Sequence, residues 1–227
     1  MPIAGPEVRS LLIACDMSSV HGPGPSSKGR RPSAEGRLRE ALLQFPRSLF
    51  CSEEPKHESE LREPPEDLTV VTMLEALKLI GTERVLEIGA PTAYTAAVLS
   101  HLAAEVYSVT SEQGLAERRG RALYALGCRN VHVVVAAPRA GWPEAAPYQA
   151  ILVGAAAAEV PIELIHQLEL GGRLVVPVGD ETAQLLERVC KHQGALDFET
   201  LGSCHVSMLA DARHTPSLVP WVHQSGS

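Results

Sequence analysis

The chain has 227 residues, of which 45% are hydrophobic, 21% charged and only 4% aromatic. That composition suits a globular domain of ordinary size whose core is built from Val, Leu, Ile and Ala. The formal net charge is −7 with no stripe of Lys and Arg, which disfavours nucleic acid and anionic membrane surfaces as partners, because both need concentrated positive charge.

Cys15, Cys51, Cys128, Cys190 and Cys204 are scattered, and neither they nor the histidines have metal-ligand spacing. Free thiols in a reducing cytoplasm are expected, and no metal. The apolar run Leu11–Cys15 is too short to span a bilayer or to serve as a secretory core. Residues 1–35, rich in Gly, Pro and Ser over 20–34, read as a flexible tail. Residues 36–67 offer a helix with Leu38, Ala41, Leu42 and Phe45 at helical spacing, stopped by Pro46, and then an acidic loop over 51–67.

From Leu68 to Leu209 strands and helices alternate. An amphipathic helix is predicted over 68–80, closed by Gly81, followed by a strand RVLEIGA over 84–90 with the continuous apolar character of a strand buried on both faces. Helix 92–104, strand 105–110, helix 112–126 and strands 131–137 and 148–156 follow. A helix over 161–170 begins with Pro and ends at Gly171-Gly172, and strands over 172–179, 184–192 and 197–206 complete the domain. Residues 210–227 form a C-terminal tail. Such alternation predicts an α/β, Rossmann-like fold, a mostly parallel sheet with helices on both faces. Ligands of such sheets bind beyond the strand carboxyl ends, which directs attention to Glu87–Tyr94.

The ordered set RVLEIGAPTAYTAAVLSHL, EVYSV, GCRNVHV, AGWPEAAPYQAILVGAAAAEVP and LELGGRLVVPVG resembles the protein-L-isoaspartate O-methyltransferase family. LREALLQFPRSLF and MLEALKLI are similar to that family's first helices. The resemblance implies a seven-stranded class I methyltransferase sandwich. It also implies S-adenosylmethionine as methyl donor and the side-chain carboxyl of L-isoaspartyl residues in damaged proteins as acceptor.

Carried over position by position, the family's Gly-x-Gly-x-Gly loop becomes Gly89-Ala90-Pro91-Thr92-Ala93, followed by Tyr94 and preceded by Glu87. Glycines let donor groups lie against backbone, whereas Pro91 also withdraws an N–H from the helix start, where anionic groups are held. The same substitutions equally suit a plain helix start. The family's acidic ribose acceptor is replaced by Thr110, with Glu112 two residues on, and its adenine acceptor by Ala137, followed by Pro138 and Arg139. Thr69 or Thr72 is a weak stand-in for the family's substrate-loop serine, and Cys204 or His205 replaces a C-terminal arginine. Charge-assisted hydrogen bonds contribute about 1.5–3 kcal/mol each. Two lost acidic acceptors then cost about 3–6 kcal/mol, or roughly two to four decades of affinity.

The resulting expectation is a family member with weak or lost donor binding and methyl transfer, acting as a binding or regulatory protein toward a protein or peptide partner. The alternative is a divergent but active S-adenosylmethionine-dependent enzyme of protein repair that uses Glu112 or main-chain groups. A dinucleotide oxidoreductase fits poorly, because Gly89-Ala90-Pro91 lacks the phosphate-approach glycine.

Overall fold

A computed structural model describes residues 33–50, 67–209 and 217–218. The sequence readings over 1–32, most of the acidic loop and most of the C-terminal tail lie outside the described residues. In chain order the elements are α1 (Ala34–Gln44), a 3-10 turn (Arg47–Phe50), α2 (Asp67–Ala76), β1 (Arg84–Ile88), α3 (Tyr94–Leu102), β2 (Glu105–Thr110) and α4 (Gln113–Ala125). Then come β3 (Val131–Val135), 3-10 turns at Pro138–Ala140 and Pro143–Ala145, β4 (Tyr148–Val153), α5 (Ile162–Gln167) and β5 (Leu168–Gly179). The described chain closes with β6 (Gln184–His192), β7 (Ala195–Cys204) and β8 (Ser217–Leu218).

The sheet order is β7-β6-β5-β4-β1-β2-β3-β8. The five strands β1 to β5 are parallel, and β6 and β7 follow as an antiparallel meander. The seven strands expected from the sequence are thus joined by a two-residue eighth, which pairs antiparallel with Val134 and Val135 inside what reads as tail. Strand alternation divides the core. Val85, Val106, Val133 and Leu152 face the layer of α1 to α4, whereas Leu86, Val109, Val134 and Ile151 face α5 and Trp142. The chain order reverses between β1 and β4, so the crevice for a ligand lies at their carboxyl ends.

Three boundaries differ from the sequence reading for local reasons. Ser33 accepts from the Gly36 N–H and starts α1 ahead of residue 36. Helix α2 stops at Ala76 rather than at residue 80 because Lys78 adopts φ 48°. Its last carbonyls are taken by arginines from three other elements: Arg188 bonds Ala76, Arg173 bonds Leu77 and Arg37 bonds Leu79. Glu83 then closes the turn by accepting from the N–H groups of Ile80, Gly81 and Thr82 at 2.8 to 3.0 Å. Helix α5 ends at Gln167 because Leu168 pairs with Tyr148 as the first residue of β5 and is buried in the core. Tertiary pairing overrides helical propensity there.

Candidate donor crevice

The residues singled out from the sequence do converge on the carboxyl ends of β1, β2 and β3. Gly89 leaves β1 with φ 72°, a left-handed turn that only glycine adopts without strain. A Cβ on Gly89 would stand 2.8 Å from Leu209 Cδ1 and 3.0 Å from the Ala155 Cβ, so this position is also tightly covered. Ala90 is buried, and its backbone presses on the end of β4: a Cβ on Gly154 would lie 3.2 Å from Ala90 Cα and 3.3 Å from its nitrogen. Gly154 donates to the Ile88 carbonyl at 2.7 Å, which ties the two strand ends together. Among the described residues, the space between α2, this loop and Gly154 is a void of about 10 Å³, room for one water at most.

Pro91 is half-buried, and Ala93 is fully buried as the residue capping α3. Tyr94 begins α3 and packs edge-on against Phe50 at 5.6 Å between ring centroids, with the Arg47 guanidinium 5.8 Å from its ring centre. It is therefore a packing residue that ties the 3-10 turn to α3. Glu87 is fully buried on the helix α1–α4 side, where Oε2 accepts from Ser108 Oγ at 2.5 Å. Burial pushes its carboxyl up, while Arg119 and the Ser108 hydroxyl pull the other way. Its Oε1 has no hydrogen-bond partner among the described residues.

Thr110 is buried at the end of β2. Its Oγ1 accepts from the Glu112 N–H at 3.5 Å and its carbonyl accepts from Ala136 at 3.0 Å. Glu112 is exposed at the start of α4 and makes no capping bond with its side chain. Ala137 precedes the 3-10 turn at Pro138–Ala140 and offers no side-chain acceptor. Trp142 is a buried anchor: its N–H donates to Gln167 and its carbonyl accepts from Tyr148 at 2.5 Å. The Thr72 hydroxyl donates within its own helix to Leu68 at 2.8 Å. Cys204 is half-buried with its thiol pushed up to about 11 by desolvation, hence protonated at neutral pH, and His205 is exposed.

The family model described as protein-L-isoaspartate(D-aspartate) O-methyltransferase (PCMT) matches residues 28–213. The chain belongs to the protein-L-isoaspartate O-methyltransferase family. A protein of that name from Geobacter metallireducens is 40% identical over 178 residues, covering 74% of this chain and 82% of the relative. One from Marinobacter nauticus is 42% identical over 184 residues, covering 77% and 79%. A solved protein-L-isoaspartate O-methyltransferase superposes with TM-score 0.64 at 25% identity over 77% of this chain and 61% of its own. A putative one from Plasmodium falciparum, in complex with S-adenosyl-L-homocysteine, has the same fold, with TM-score 0.65 at 14% identity and coverage of 91% and 97%.

The acidic donor contacts that the family resemblance implies are absent at the positions expected from the sequence. Thr110 offers a hydroxyl in place of a carboxylate, and Ala137 a methyl group. A Cβ added to Gly154 would come within 3.2 Å of Ala90 Cα, so the loop runs close to the end of β4.

Two residues of this domain escape a reading of the sequence. Arg119 is 1% exposed, and it completes the buried face of α4 with Ala116 and Leu123. An arginine in an apolar helical stripe was the available signal. Gly154, directly after the apolar run of β4, was another.

Proposed function

We propose that this chain is a protein-L-isoaspartate O-methyltransferase family member whose donor crevice is shut, so that S-adenosylmethionine binding and methyl transfer are weak or lost. The retained scaffold then acts as a binding or regulatory protein for a protein or peptide partner in the cytoplasm. The observation that carries this reading is the close approach of Ala90 to Gly154 across the ends of β1 and β4, with little room for a Cβ on Gly154, near where ligands of such sheets bind. Thr110 and Ala137 support it, since neither replaces an anionic acceptor.

The second reading is a divergent but active protein-L-isoaspartate carboxyl methyltransferase of protein repair, and the comparisons weigh on its side. Relatives at 40% and 42% identity carry that enzyme's name over about four fifths of their length. On this reading exposed Glu112 or main-chain groups take over the ribose contacts, and the loop moves off β4 when the donor enters.

The two readings part in one assay. The purified chain is incubated with S-adenosylmethionine and a peptide containing one L-isoaspartyl residue, and methyl ester is followed by mass spectrometry. The first reading predicts no ester above the enzyme-free blank. Sustained turnover overturns it and establishes the second.

A further inference from the structure

We infer that Arg119 is a latch that holds the loop Gly89–Ala93 in place from the α4 side, so that the crevice stays shut independently of the lost acidic acceptors. The inference rests on the first reading of the function and extends it to a named positioning residue.

Arg119 leaves the middle of α4 toward the sheet and is buried to 1% exposure. Its guanidinium donates through Nη2 to the carbonyl of Ala90, the loop residue that touches Gly154. It also lies close enough to the buried Glu87 carboxyl to favour its charged form, against the desolvation that disfavours it. Glu87 in turn is held to β2 by the Ser108 hydroxyl at 2.5 Å. One cluster therefore links α4, β1, β2 and the loop below the crevice.

A guanidinium cannot shed its proton, so its burial is tolerable only while acceptors surround it. Lifting the loop to admit a ligand carries the Ala90 carbonyl away from a cation that is only 1% exposed. The loop is therefore favoured in its low position, with the Ala90 backbone against Gly154. Leu209, resting over Gly89, covers the same loop from above. Donor contacts and loop position are thus separate obstacles, and restoring the first leaves the second in place.

The test is a calorimetric titration with S-adenosyl-L-homocysteine. One variant carries Thr110→Glu, Ala137→Asp, Pro91→Gly and Ala93→Gly together, and a second adds Arg119→Met. The latch predicts that adding Arg119→Met tightens binding by about tenfold or more, and that adding Arg119→Lys, which keeps one charged donor, tightens it less. Equal affinities with and without Arg119→Met overturn the latch while leaving the shut-crevice reading standing. Tight binding by the unmodified chain overturns that reading instead. If Arg119→Met prevents folding, hydrogen exchange on the otherwise unmodified Arg119→Lys chain decides. Faster exchange at Gly89, Ala90, Thr92 and Ala93 with β1 and β2 unchanged supports the latch, and unchanged exchange at those four amides overturns it.

Discussion

Gln184 grips both backbone groups of Val206: its Oε1 accepts from the Val206 N–H at 2.8 Å and its Nε2 donates to the Val206 carbonyl at 2.9 Å. The same amide donates to Asp180 at 3.0 Å, and the side chain is 3% exposed. This pairing aims the segment after β7 back over the sheet, where Ala156 exchanges backbone hydrogen bonds with Ser207 and Leu209 at 2.8 and 2.7 Å. Leu209 is thereby set on Gly89.

Replacing Gln184 by Leu keeps the volume and removes every one of these bonds, leaving buried backbone groups unsatisfied. A buried unpaired polar group costs about 1–3 kcal/mol, so Gln184→Leu is expected to lower stability by about 2–4 kcal/mol. Urea unfolding measures the loss. Hydrogen exchange at Val206 and Leu209 should rise with it, and an unchanged midpoint would show that the segment is held by other contacts.

Gly89 and Gly127 form a matched pair, with φ 72° and 81°. A Cβ on Gly127 meets nothing within 4 Å, whereas one on Gly89 meets Leu209 at 2.8 Å. Gly127→Ala therefore carries only the backbone term of about 1–2 kcal/mol. Gly89→Ala adds overpacking and is expected to cost about 2–4 kcal/mol in all. Equal losses for the two variants would mean that Leu209 does not cover the loop in solution.

The sheet was largely legible because strand and helix patterns alternate along the chain: EVYSVT over 105–110 and the run over 184–192 fall where the sequence places them. Residues whose partners are distant in the chain were not. The carbonyls at the end of α2 are taken up by Arg173 and Arg188, about a hundred residues away, and nothing in LTVVTMLEALKLI encodes that. The candidate site was legible as a set of substitutions in a loop, with Pro91, Thr110 and Ala137 in place of the family's contacts. What the loop rests on was not, since Gly154 and Arg119 reach it from β4 and α4.

Glu87 makes stability depend on pH in a stated direction. Burial raises its folded carboxyl pKa above the ordinary carboxylate value, with Arg119 and Ser108 opposing. The folded state then holds the proton more tightly than the unfolded state. The contribution is full below the unfolded pKa and is lost as pH rises through the folded one. Glu87→Gln removes this dependence. The stability of the variant relative to the unsubstituted chain should therefore increase from about pH 5 to about pH 8, read by urea unfolding at both. A relative stability that falls over that interval would place the folded carboxyl pKa below its ordinary value instead.

The claim that most depends on the crevice being shut is the loss of the methyl donor, and direct calorimetry on the unmodified chain with S-adenosylmethionine tests it. The expected result is no binding isotherm at concentrations below about millimolar. A saturable isotherm with a dissociation constant of about micromolar would contradict it, because the loop would then have to leave Gly154 and admit the donor despite Thr110 and Ala137.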